Sequence, residues 1–328
     1  MKAIVYEQYG SPDVLELREV KKPAPKDNEV LVKVHASSIN DWDWELLQGI
    51  PFLNRLMAGL LKPSKIKILG CDIAGRVEAV GSKVTQFQPG DEVFGDLCRS
   101  GWGGFAEYVC SDEMALAIKP VSMTFEQAAS IPQAGLLALQ GLLKGKIQQG
   151  QTLPSQKVLI NGASGGAGSF AVQIAKSFGA EVTGVCSTKK MDFVRSLGTD
   201  HVIDYTQEDF TRNGQAYDLI LDVKACHSIF DYKRALSPEG IYMMMGGASV
   251  LPVFILGTWI SITSNKKMGL LLHKPNKGLD LMKELFEAGK YVPVIDRCYP
   301  LSEVAEAFRY FGEGRKKGKV IITVQHTA

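Results

Sequence analysis

Apolar and polar residues alternate in short runs over the first 120 residues. The runs KAIVYE (2–7), EVLVKVHASSI (29–39), AGRVEAVG (74–81) and DEVFG (91–95) are separated by Gly, Pro, Asn and Asp. A period of two bounded by turn residues predicts half-buried strands. Residues 50–67 interrupt this pattern with the apolar, helix-like stretch FLNRLMAGLL (52–61). It is expected to pack in the core; a lid over a pocket is the other reading. At Thr124 the pattern changes to a helical period over TFEQAASIPQAGLLALQGLL, and Thr124 with Gln127 resembles a capping box. Strand and helix patterns then alternate. KVLING is a strand, SFAVQIAKSFG a helix, EVTGVCS a strand and MDFVRSLG a helix. HVIDY and YDLILDV are strands, SIFDYKRALSPEG is helical, and GIYMMMGG is a strand. This rhythm predicts an α/β protein with a parallel sheet covered by helices. It ends near Lys274, after which KGLDLMKELFEAG and SEVAEAFRYF read as helices, and VPVIDRCYP and KVIITV as strands.

From Ile241 to Asn265 there is no charged residue. About 20 apolar residues suffice to cross a bilayer. Gly246, Gly247, Pro252 and Gly257 interrupt this run, so it reads as a buried strand ending at the double glycine, followed by an apolar loop. The N-terminal MKAIVYEQYG has no apolar run of signal-peptide length. With 328 residues the chain is long enough for about two domains. Basic and acidic residues number 37 and 35, a net charge of +2, which argues against nucleic acid or a membrane as a dedicated partner. Six cysteines without a C-x-x-C pair read as reduced thiols in a cytoplasmic protein, and the five histidines form no constellation.

The candidate chemistry centres on KVLINGASGGAGSFAVQIAK. An apolar strand runs through a small-residue turn directly into a helix. Ala163-Ser164-Gly165-Gly166-Ala167-Gly168 is a G-x-G-x-x-G variant with Ala at its first position. A tight turn, close approach of backbone to a pyrophosphate, and close helix–strand packing each require small residues there. The helix N-terminus offers free N–H groups and a positive dipole end to phosphate. Dinucleotide binding follows from this context of strand, turn and helix. An NAD-preferring site carries Asp or Glu about 20 residues further on. Here Ser187 stands at that place, followed by Thr188, Lys189 and Lys190. A hydroxyl and a cation suit a 2′-phosphate, so NADP(H) is expected over NAD(H). The same lysines also fit a solvated helix start.

The whole set of motifs resembles the medium-chain dehydrogenase/reductase superfamily. Within it, the chain resembles the zinc-free quinone oxidoreductase group, including relatives of the mitochondrial reticulon-4-interacting protein. The matching pieces are KAIVYEQYGSPDVLEL, EVLVKVHASSIND, LGCDIAGRVEAVGSKVTQFQPGDEVFG, GGFAEYV, ASGGAGSFAVQIAK, GTDHVIDY and GKVIITV. The resemblance implies a Rossmann doubly wound parallel sheet inserted into a GroES-like β-barrel domain, with the cleft between them. The boundaries are a GroES-like catalytic part at 1–124, a Rossmann NADP-binding part at 125–272, and the rest of the catalytic domain at 273–328. It also implies that Ser164, Gly165, Gly166, Ala167 and Gly168 contact the pyrophosphate. Ser187 and Lys189 meet the 2′-phosphate, with Tyr205 beside them; Tyr205 equally fits an ordinary strand end. Gly246 and Gly247 close the nicotinamide side. Asn40 is expected near nicotinamide and substrate, though it also reads as a turn residue. Asp43 is a candidate to orient water or supply a proton, or else is a surface or ion-paired carboxylate.

The positions that hold catalytic zinc in the metal-dependent relatives are Asn40, Cys71 and Gln133 here. Asn and Gln are poor zinc ligands, so no metal is expected. Without a Lewis acid, the implied reaction is hydride transfer from NADPH to a quinone or an α,β-unsaturated carbonyl, as in the zinc-free branch. A zinc-free NAD(P)-dependent alcohol dehydrogenase and a non-catalytic NADPH-binding regulatory or assembly protein are the alternatives. The partner is a small-molecule substrate; a homodimer and a monomer both stay open. The sequence departs from the family at Lys224-Ala225-Cys226-His227, and the basic run Arg315-Lys316-Lys317-Gly318-Lys319 reads as a solvated turn.

Overall fold

The computed structural model describes residues 1–153, 156–247 and 250–326. Its contacts divide the chain into two compact units. Unit 1 holds Met1–Leu136, Pro275–Glu287 and Val294–Ala328, and unit 2 holds Leu137–Lys274 and Ala288–Pro293.

Unit 1 opens with an antiparallel ribbon, β1 (Lys2–Val5) and β2 (Glu16–Glu19). The long strand β3 (Glu29–Ile39) leads into α1 (Asp41–Gln48) and α2 (Phe52–Ala58). Strands β4 (Asp72–Val80), β5 (Glu92–Asp96), β6 (Tyr108–Asp112) and β7 (Ala117–Ile118) follow, then α3 (Phe125–Ala129) and α4 (Pro132–Lys144), whose residues from Leu137 on belong to unit 2. The Thr124–Gln127 capping box forms with both bonds, at 3.2 and 3.0 Å. One continuous helix was expected from 124 to 143. Instead it breaks ahead of Pro132, whose ring fits a first helical turn but not a helix interior. Residues 125–136, read from sequence as the start of the Rossmann part, pack in unit 1.

Unit 2 contains β8 (Lys157–Asn161), α5 (Gly166–Ser177), β9 (Glu181–Cys186), α6 (Met191–Ser196), β10 (His201–Asp204) and β11 (Tyr217–Asp222). It continues with α7 (Ile229–Ala235), β12 (Leu236–Met244), a helical run α8 over 250–263, and β13 (Lys267–Leu270). Its six strands run parallel in the order β10–β9–β8–β11–β12–β13. Connections turn in opposite directions from β8, so a switch point lies between β8 and β11. Open α/β sheets bind ligands outside the carboxyl ends of strands at such a point. There Asn161 Nδ2 donates to Asp222 Oδ1 at 2.9 Å.

The chain then returns to unit 1 with α9 (Leu279–Glu287), β14 (Ile295–Pro300), α10 (Val304–Gly312) and β15 (Lys319–Thr323). The sheet of unit 1 runs β14–β15–β3–β4–β5–β7, with β6 also on β3. Val30, Val32 and Val34 alternate inward from β3, and α10 docks through Val304, Ala307, Phe308 and Phe311. The first set shows a period of two and the second the i, i+3, i+4, i+7 spacing of a helix face.

Three expectations are corrected. The SPEG tail of the predicted helix 228–240 belongs to β12. The apolar run after the double glycine is helical over 250–263 rather than a loop. Its Val253 and Ile260 are buried, while Phe254 and Ile262 face outward. Of residues 52–61 only Ala58 joins the core: Phe52, Leu53 and Leu61 are 63%, 67% and 89% exposed. Among the described residues no helix is long and apolar enough to cross a membrane.

Candidate active site

In unit 1, Asn40 ends β3 and caps α1. Its backbone N donates to Asp43 Oδ2 at 2.9 Å. The other oxygen of Asp43 accepts from Gly70 N at 2.8 Å. Asp43 is fully buried, which corrects the surface or ion-paired reading. Burial pushes its carboxyl up to about 7, against the pull of the two backbone N–H bonds.

Asn40, Cys71 and Gln133 come together. Asn40 Nδ2 lies 3.4 Å and Gln133 Nε2 3.5 Å from Cys71 Sγ. Burial and the neighbouring Asp43 and Asp72 carboxyls hold the Cys71 thiol well above its ordinary pKa, so it stays protonated. Asp72, at the start of β4, gathers the surrounding donors. Its Oδ2 accepts from Ser38 Oγ and Asn40 Nδ2, both at 3.0 Å, and its Oδ1 accepts from Gln133 N at 3.1 Å. Burial raises its carboxyl and the Lys319 ammonium opposes that rise.

Lys319 was read from sequence as part of a solvated basic turn. The structure puts it at the head of β15, 3% exposed. Its Nζ donates to Asn40 Oδ1 at 2.5 Å and to Ile39 O at 3.5 Å, and stands 3.6 Å from Asp72 Oδ2. The amide of Asn40 is therefore held at both ends, oxygen to a cation and nitrogen to a carboxylate. Asp72 and Lys319 are the parts that sequence reasoning missed. No sequence signal marked Lys319, because Lys319 to Ile322 are all buried and no alternation singles out an inward position.

The donor chemistry fits zinc poorly. Cys71, Asp72 and Asp96 place one ligand atom each within 4.8 Å of one another. Asp96 Oδ1 already accepts from Cys98 N at 2.8 Å, and an ammonium sits beside Asp72. A zinc ion would meet like charge there.

In unit 2 the predicted turn connects β8 to α5. Gly162 has φ +91° and Gly165 is the N-cap, without a side-chain cap on the helix. The first N–H groups of a twelve-residue helix are thus left to other partners. A Cβ at Gly168 would stand 2.2 Å from Gly162 O, so only glycine lets the helix pack this close. Ser164, Gly166 and Ala167 complete this one turn. It is a cradle of backbone and small side chains and fits a pyrophosphate.

Ser187 follows β9 and caps the short turn Thr188–Lys190, where Lys189 is exposed. Tyr205 follows β10; its N donates to Cys186 O at 3.1 Å, and its side chain is 61% exposed. Ser187, Lys189 and Tyr205 thus end two adjacent strands. The carboxylate of Asp204 beside them bonds to the hydroxyls of Thr188 and Thr206. Gly246 and Gly247 follow β12 and pack on the departing loop. A Cβ would meet Val223 O at 3.2 Å from Gly246, and Ala225 Cβ at 2.7 Å from Gly247, whose φ is +113°. That loop is tied down by Asp222, whose Oδ1 accepts from Lys224 N and Ala225 N.

Residues 26–121 match the family model of the alcohol dehydrogenase GroES-like domain, and residues 197–322 that of a zinc-binding dehydrogenase. The chain is 32% identical to the chloroplast envelope quinone oxidoreductase homolog of Arabidopsis thaliana, over 98% of each chain. It is 34% identical to the chloroplastic NADPH-dependent alkenal/one oxidoreductase of the same plant, over 98% of this chain and 79% of that one. The solved structure of the quinone oxidoreductase from Coxiella burnetii superposes with a TM-score of 0.87 at 31% identity, over 99% of each chain. The chain belongs to the medium-chain dehydrogenase/reductase superfamily, in its quinone oxidoreductase group.

Proposed function

We propose that this protein is an NADPH-dependent oxidoreductase that passes hydride to a quinone or an α,β-unsaturated carbonyl without a metal. The observation that carries this reading is the Asn40–Cys71–Gln133 cluster with the Lys319 ammonium beside it. Bound NADPH supplies the hydride from C4 of its nicotinamide. The turn Ser164–Gly168 holds the pyrophosphate, and Ser187, Lys189 and Tyr205 receive the 2′-phosphate end. Gly246 and Gly247 leave room where side chains would intrude.

Asn40 is the polar contact for the acceptor. Its bond to the Cys71 sulfur is its weakest, because a thiol is a poor acceptor. A substrate carbonyl oxygen can take over that N–H. Lys319 and Asp72 keep the amide from rotating while it does so. Asp43 spends both oxygens on backbone N–H groups, so it fixes the loop rather than moving a proton. Hydride addition would leave a quinolate or enolate anion, and solvent supplies its proton. All six cysteines are free thiols, which favours a reducing compartment such as the cytoplasm.

The test follows NADPH absorbance with a panel of quinones, enones, enals and simple aldehydes, with NADH in parallel. The expected result is oxidation by quinones or enones, unaffected by chelator and slower with NADH. Activity confined to simple aldehydes and lost with chelator would falsify the reading. Saturable NADPH binding without turnover by any acceptor would sink it as well, in favour of a regulatory protein.

A further inference from the structure

The segment between β3 and β4 carries large apolar side chains on its outside. Phe52, Leu53, Leu56, Leu60 and Leu61 are each more than half exposed. Scattered apolar surface residues need no explanation, but a contiguous set marks a contact surface. From Leu46 to Cys71 the only charged residues are Arg55, Lys62, Lys65 and Lys67; there is no carboxylate. The three lysines are exposed. Arg55 donates to Gly49 O and covers the Tyr9 ring. Of the flanking acids, Glu45 accepts from Asn54, and Glu7 is bridged to Arg18 and also lies within the field of Lys62 and Lys67. The net charge of +2 averages over this locally basic segment.

We propose that residues 50–67 dock on the surface of an anionic lipid bilayer. The phenyl and leucyl groups enter the headgroup–acyl boundary, and the lysines meet the headgroup phosphates. Apolar side chains beside cations of one sign are the composition of an interfacial segment. Lysine stems lie along apolar surface while their ammonium groups stay in the polar layer. A protein partner of mixed charge would leave the patch lysines facing like charge. Unit 2 shows the same character by itself. Phe254, Trp259 and Ile262 are exposed on α8, and no carboxylate occurs from Gly240 to Leu279. The proposal does not depend on the reaction assigned above.

The experiment is co-sedimentation of the full chain with vesicles of phosphatidylcholine alone and of phosphatidylcholine mixed with phosphatidylglycerol. Binding is expected to the mixed vesicles and to weaken as salt is raised. Lys62→Gln with Lys65→Gln should lower the partition coefficient by roughly fivefold per lysine. Leu53→Asp with Leu56→Asp should abolish binding. Both pairs lie at the surface, and an unchanged circular dichroism spectrum and melting midpoint certify their folds. Equal binding to both vesicle types, or none, overturns the proposal. So does a dimer in sedimentation velocity that Leu53→Asp with Leu56→Asp splits, because the face then belongs to a second copy.

Discussion

Lys319 carries a charge into a site where each neighbour is already committed. Its ammonium meets Asn40 Oδ1 and lies 3.6 Å from Asp72 Oδ2, with Asp72 fully buried. Removing one member of a buried ion pair leaves the other uncompensated. Lys319→Met is therefore expected to cost roughly 3–5 kcal/mol of stability. It should also lower kcat while leaving the NADPH dissociation constant unchanged. Chemical denaturation and steady-state kinetics check the two parts. Asp43 makes a prediction about pH. Its carboxyl is lifted to about 7, so in mildly acidic solution the folded chain keeps a proton that the unfolded chain has lost. The folded state binds more protons there, and stability falls as pH rises through that window. This contribution is complete below a pH of about 4 and gone above neutrality, on the order of 4 kcal/mol in all. Asp43→Asn removes the titration, so its melting midpoint should depend less on pH than that of the wild type. Asn40 and Asp43 stood out as candidates in the sequence because a motif names them. Lys319 was not, because a basic run looks the same whether its last residue is solvated or turned into a sheet.

At the scale of elements, β8, the glycine turn and α5 were readable in advance because steric necessity shows in the sequence. The close approach of Gly168 to Gly162 O admits no side chain, and the period of α5 changes at once from two to 3.6. The β9 end was equally open to reading, since the absence of a carboxylate at Ser187 is visible as such. Lys189→Glu should weaken NADPH binding at least about tenfold and leave NADH nearly unaffected, because only NADPH brings a 2′-phosphate. Fluorescence titration of both cofactors measures the ratio. Residues 52–61 and 250–263 were harder. Their apolar runs carry no mark of which side faces water, and apolar composition suits a core, a loop and an exposed face alike. α8 buries Val253 and Ile260 on one side and exposes Phe254 and Ile262 on another, so periodicity alone predicts no single face.

For the whole molecule, the order of the chain matters. Unit 1 is assembled from three stretches, and β15 pairs with β3 across some 280 residues of sequence. The sheet of unit 2 lies within one stretch, from β8 to β13. Contacts distant in sequence close late, because loop entropy is spent before they form. Trp42, Trp44 and Trp102 belong to unit 1 and Trp259 to unit 2. In the Trp259→Phe variant, tryptophan emission thus follows unit 1 alone. On refolding from urea, NADPH binding should recover before that emission does. The reverse order would contradict this account. The alternation of the middle segment showed this architecture in the sequence; the pairing of the final strand with an early one became visible only by resemblance. For anyone who wishes to graft a metal onto this scaffold, Lys319 sets the order of work. Cysteine and histidine at positions 40, 71 and 133 supply ligands but leave the resident cation in place. The retrofit begins at the far end of the chain, with a residue that belongs to no ligand motif.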